Sequence, residues 1–231
     1  GHSSQPRPDN PIYQLAAALK TLEEYRFKPM LNDASRGLFE HIVKTDKGLY
    51  GEMVGRWLQD PNDREAGDIL EVMEPGYTRT RCVATQLSGG HAPNALPQKA
   101  EANVNCRIFP GVTAQEVRTE LQAIAGQDVT VELVGTPTPS EASPLRQDIV
   151  DAYRSAIGVK FKDVPILPWM SAGATDGAYL RNAGIPVYGV GGVWGYLTQP
   201  SGAHGLNERM LVDAFHGQVP IWEDLLRRLA G

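Results

Sequence analysis

Thr78-Arg79-Thr80-Arg81-Cys82-Val83-Ala84-Thr85-Gln86-Leu87 sets the architecture of this chain. Thr78, Thr80, Cys82, Ala84 and Gln86 alternate with Arg79, Arg81, Val83, Thr85 and Leu87, the two-residue period of a strand with one covered face. Ser88-Gly89-Gly90-His91-Ala92-Pro93-Asn94 follows as a loop, and residues 99–109 read as a second strand that Pro110-Gly111 ends. Thr113 with Glu116 three residues later predicts a capping box, opening a helix that carries Val117, Leu121 and Ile124. Residues 129–134 read as a third strand. Upstream, Pro11 suits the first turn of a helix with Ile12, Leu15, Ala16, Leu19, Leu22 and Tyr25 at helical spacing. Strands and helices in this succession predict an α+β two-layer domain, an antiparallel sheet with helices on one face.

Between these elements, residues 27–77 have broken periodicity and read as a helical insertion. Short helices are expected near residues 51–58 and after Pro61-Asn62-Asp63, with Asp63 as a cap. A loop rich in Pro, Thr and Ser at 136–144 marks a boundary, giving domains at 1–138 and 139–231. Beyond it the pattern changes to helix 145–157, apolar strand 164–167, helix 177–182 and apolar strand 185–190. A final helix is expected from near Asn207, kinked or broken by Pro220. Short apolar strands between helices predict a buried, mostly parallel sheet, so the class is α/β overall. So few strands are thin for such a sheet, and part of this second domain is expected outside the chain.

The 231 residues carry a net charge of −5, which argues against a nucleic-acid-binding surface. No apolar run approaches the ~20 residues of a membrane span. The sequence opens without Met or a signal peptide, and is expected to begin inside a longer protein. Cys82 and Cys106 fall on two predicted strands. They could pair if the strands were neighbours, but buried free thiols are the expected state.

Polar chemistry concentrates in Gly202-Ala203-His204-Gly205-Leu206-Asn207-Glu208-Arg209. A neutral imidazole on a loop is a zinc-ligand candidate, and a histidine hydrogen-bonded at a helix start is the plainer alternative for His204. Asn207 suits an N-cap, and Glu208 complements a helix dipole. Arg107, mid-strand, is either solvated or a clamp for a carboxylate. The Gly-rich run 189–195 misses the spacing of a dinucleotide loop, and no GxSxG elbow occurs.

Taken in order, several stretches resemble the dinuclear-zinc exopeptidase and deacylase family of acetylornithine deacetylase, succinyl-diaminopimelate desuccinylase and glutamate carboxypeptidase. They are Gly1-His2-Ser3-Ser4 through Asn10-Pro11-Ile12, Gly89-Gly90-His91-Ala92-Pro93-Asn94-Ala95-Leu96-Pro97, and Asn105-Cys106-Arg107 with Pro110-Gly111. Ala172-Gly173-Ala174-Thr175-Asp176, Leu180-Arg181-Asn182-Ala183-Gly184-Ile185-Pro186 and His204-Gly205-Leu206-Asn207-Glu208-Arg209 complete the set. The resemblance implies a lid that dimerises, followed by the C-terminal part of an α/β zinc-peptidase domain whose N-terminal half is absent. It implies a homodimer through the lid and two Zn²⁺ ions per active site of the intact parent, not expected to be retained by this chain. Charge and the lack of a long apolar run leave neither nucleic acid nor membrane as an expected partner.

His204 would be the metal ligand contributed here. His2 would stabilise the oxyanion in the partner subunit's active site. Asn94 and Arg107 would orient the substrate carboxylate, and Gly173 and Thr175 would line the pocket. The implied parent is a metallopeptidase or amidohydrolase, of carboxypeptidase or dipeptidase type, attacking an amide of small peptides or N-acyl amino acids with metal-activated water. The isolated chain is then expected to be inactive. The alternative is a non-catalytic dimerisation or binding module that keeps the lid. The run 105–111 resembles exported bacterial members, so a periplasmic or secreted location is expected rather than a cytoplasmic one.

Overall fold

In the computed structural model the described residues are 1–171, 173–196, 201–203 and 205–231. They divide into two units, one of Gly1–Glu141 with Pro168–Asn182, the other of Ala142–Leu167 with Ala183–Gly231.

The first unit is built on an antiparallel hairpin of β1 (Arg81–Gly89) and β2 (Ala100–Arg107). Two helices accompany it, α1 (Pro11–Glu24) and α5 (Ala114–Ala125). Helix α1 packs on both strands and on α5, the two-layer α+β arrangement expected. The starts of both helices follow their caps. The Asn10 side chain accepts from the Ile12 N–H, and the reciprocal box between Thr113 and Glu116 is present.

The hairpin departs from simple alternation at one point. Ala84 pairs with Val104 and Gln86 with Asn103, leaving Thr85 as an extra residue in β1. The bulge shifts the phase of β1, so that Leu87 joins Cys82 and Ala84 in the groove beneath α1. The unbulged β2 keeps one phase throughout, with Ala100, Ala102, Val104 and Cys106 half-buried and their neighbours exposed. Cys82 and Cys106 are register partners joined by a disulfide, with Cα atoms 4.1 Å apart. This corrects the expectation of free thiols: the hairpin brings the two residues directly opposite, well within bridging distance.

The expected third strand does not form a ladder with the hairpin. Side chains of α5 hold its backbone instead: Gln122 donates to the Val129 carbonyl at 2.7 Å and accepts from the Val131 N–H at 3.0 Å, and Arg118 donates to the Val131 carbonyl at 3.0 Å.

Residues 27–77 form three helices, α2 (Asp33–Thr45), α3 (Leu49–Gln59) and α4 (Arg64–Met73). Asp63 caps α4 by accepting from the Ala66 N–H, as its position predicted. Together they enclose a core of their own around Phe39, Val54, Trp57 and Leu70, none of which retains exposed surface. Met170 is tied to this core through its N–H, which donates to the Tyr77 hydroxyl at 2.9 Å. That bond anchors the segment leading to the short helix α7 (Gly177–Asn182).

The second unit pairs α6 (Gln147–Gly158) with α8 (Val212–Ala230), burying Ala156 and Ile157 against Ile221 and Leu225. The apolar segments expected as strands, 164–167 and 185–190, carry no strand among the described residues. Ile166 and Val190 pack against this core, and Ser143 holds Val187 by donating to its carbonyl and accepting from its N–H. The last helix begins at Val212 rather than near Asn207, and it passes Pro220 without ending. Ile221 and Leu225 remain buried on α6 beyond the proline, which holds the helix together despite the lost hydrogen bond. No helix of the described residues is long and apolar enough to cross a membrane.

Candidate functional site

The first residues of the chain lie along the hairpin loop. Ser3 N–H donates to the Asn94 carbonyl at 2.9 Å, Leu96 N–H donates to the Gly1 carbonyl at 2.8 Å, and His2 bridges Ala95 in antiparallel fashion. His2 and Asn94, 92 positions apart in sequence, therefore share one edge of the molecule, and both are exposed. A turn follows at once, closed by Gln5 N–H on the His2 carbonyl at 3.0 Å. Within it the Ser4 N–H donates to His2 Nδ1 at 3.2 Å, and the Ser4 hydroxyl lies 2.9 Å from the same nitrogen. Ser4 escaped the sequence reading; its only signal was its place two residues after His2.

Arg107 occupies the other end of β2. From Ala100 to Arg107 the strand advances about 23 Å at ~3.3 Å per residue, so the guanidinium and the His2–Asn94 edge sit at opposite ends of one hairpin. The register sets Arg107 across from Arg81. Two like charges in that relation repel. Glu71, mostly buried, neutralises the Arg81 side at 3.1 Å and also meets Arg79 at 3.3 Å. Arg107 makes no ion pair among the described residues and is exposed, a fork of donors open to an external carboxylate.

Gly173 and Thr175 belong to the first unit, on the segment that the Met170–Tyr77 bond anchors. Gly173 N–H donates to the Ser171 hydroxyl at 3.1 Å, and the Thr175 carbonyl accepts from Ala178 N–H at 3.2 Å where α7 starts. Both are exposed, and neither hydrogen-bonds His2, Asn94 or Arg107 among the described residues.

His204 lies outside the described residues. Around it, Gly205 N–H donates to the Gly202 carbonyl at 2.9 Å and Arg209 N–H to the Ser201 carbonyl at 2.8 Å. Asn207 is not the cap of α8; Leu211 holds that position. Among the described residues no three His, Cys, Asp or Glu side chains gather where they could hold a metal ion. The described residues therefore do not themselves fit a dinuclear zinc centre.

Residues 1–130 match the family model of the peptidase dimerisation domain, M20 type. The chain is 30% identical over 235 residues to the N-fatty-acyl-amino acid synthase/hydrolase PM20D1 of Xenopus tropicalis, covering 98% of the chain and 45% of that protein. It is 23% identical over 230 residues to the probable carboxypeptidase S-like 2 of Dictyostelium discoideum, covering 98% of the chain and 44% of that protein. It is 31% identical over 151 residues to mouse aminoacylase-1, covering 63% of the chain and 36% of that protein. The chain thus spans about half the length, or less, of the curated relatives it matches.

Proposed function

Because the chain belongs to the M20 peptidase and amidohydrolase family through its dimerisation domain, we propose that it is the lid and C-terminal part of a zinc-dependent amidohydrolase acting on N-acyl amino acids or small peptides. The relatives' names supply the chemical class, an acyl group on an amino acid nitrogen or a residue at a peptide's carboxyl end. In this reading Arg107 holds the free carboxylate of the substrate, with Asn94 as a further polar contact. His2 donates a hydrogen bond to the oxygen that becomes negative when the amide carbonyl is attacked. Gly173 and Thr175 line the pocket. The zinc ions would be held by His204 with residues beyond this chain, and the chain alone is inactive.

One observation carries the reading: His2 with Asn94 stands at one end of the hairpin and Arg107 at the other. A single small substrate cannot meet both within one protomer. Two-fold pairing of lids would offer the His2 end of one protomer to the Arg107 end of its partner. The Cys82–Cys106 disulfide further supports an exported protein, since such bonds persist in oxidising compartments.

Mixed dimers test this in an enzyme of the relatives' length containing this chain. His2→Ala and Arg107→Ala should each lose most hydrolysis of an N-acyl amino acid. Random mixing of the two variants makes half of all dimers heterodimers, each with one intact site of two, so activity should return to about a quarter of the unaltered level. Failure to recover in dimers shown to exchange would refute the shared site. An unaltered enzyme that hydrolyses no amide would leave a dimerisation module instead.

A further inference from the structure

We infer that Ser4 is a positioning residue that holds the neutral His2 ring in the form with its proton on Nε2. The Ser4 backbone N–H reaches His2 Nδ1 at 3.2 Å. An amide N–H only donates, so Nδ1 must accept through its lone pair. The Ser4 hydroxyl, 2.9 Å from that nitrogen, then donates as well. A neutral imidazole whose Nδ1 is an acceptor carries its hydrogen on Nε2.

Nε2 makes no hydrogen bond to the described residues, and the ring is exposed. The arrangement leaves an exposed N–H donor beside the hairpin loop. Its frame is fixed at two further points, by Gln5 N–H on the His2 carbonyl and Ser3 N–H on the Asn94 carbonyl. In the opposite tautomer Nε2 would present a lone pair to a negative oxygen and repel it. The functional part of this inference rests on the proposal that His2 meets the oxyanion; the tautomer itself does not.

The tautomer is read from the two ring-nitrogen shifts of His2 in long-range proton–nitrogen correlation spectra of this chain, at a pH where the ring is neutral. His2→Ala identifies the signals. The expected result is an Nε2–H fraction above that of an unstructured peptide of the first residues, falling towards the peptide's in Ser4→Ala and retained in Ser4→Thr. A ring matching the peptide, or one unaltered by Ser4→Ala, overturns the inference. In the longer enzyme Ser4→Ala should lower kcat, though by less than His2→Ala does, with KM unchanged and Ser4→Thr restoring the rate. If His2→Ala leaves kcat intact, the catalytic reading falls while the tautomer result stands. If His2→Ala abolishes turnover and Ser4→Ala changes neither tautomer nor rate, only the role of Ser4 is lost.

Discussion

Cys82 faces Cys106 directly across the β1–β2 ladder, on the side of the sheet that α1 covers. The bridge closes a loop with a sequence separation of 24, containing the bulge and the turn that carries Asn94. Closing a loop of this size limits the unfolded chain by about 3 kcal/mol. Cys82→Ala with Cys106→Ala should therefore lower the denaturant midpoint of the first unit. A reductant should lower the midpoint of the unaltered protein and leave the double variant where it is. Equal midpoints with and without the bridge would contradict the prediction.

Trp57 meets Phe39 edge-to-face at 5.6 Å between centroids, in the core enclosed by α2, α3 and α4. Both rings are fully buried. Trp57→Ala should destabilise these helices by about 3–5 kcal/mol, the range for truncating a buried aromatic. Urea unfolding followed by far-ultraviolet circular dichroism checks it, and a loss under ~1 kcal/mol would show that the site collapses around the smaller side chain.

The Asp63 cap predicts a pH dependence. Hydrogen bonds from Arg56 foremost, and then the Ala66 N–H, hold the Asp63 carboxyl below its ordinary value of 3.8. A carboxyl depressed in the native state binds its proton more readily once unfolded. Its contribution is complete above the ordinary value and is lost as the pH falls past it towards the depressed one. Asp63→Asn keeps a capping oxygen but cannot titrate, so stability between neutral and acid pH should change less in the variant. Parallel stability curves for the two proteins would count against this.

Much of this was legible because it is local. Asn10 before Pro11, Thr113 before Glu116 and Asp63 before α4 announce helix starts within four residues of themselves. Helix α2 was missed although Asn32 and Ser35 form a reciprocal cap, because a serine in that place is a weaker sign than a glutamate. What depends on partners distant in sequence was harder to read. The phase shift at Thr85 follows from the register with Asn103, and the disulfide from the register with Cys106. Residues 129–134 read as a strand, yet they form none, because Gln122 and Arg118 bind the backbone groups of Val129 and Val131 that a ladder would use. In the candidate site, Arg107 stood out by its type and its place mid-strand, whereas His2 and Asn94 came only from the family resemblance. Which of them adjoin followed only from the pairing of Gly1 and Ser3 with the hairpin loop.

The separation of His2 from Arg107 along one hairpin has a kinetic corollary. If the proposed site is shared between two protomers, it exists only as long as the pair does. Its turnover per milligram should decline on dilution below the dissociation constant of the dimer, and a lag should precede steady hydrolysis when concentrated monomer is allowed to reassociate.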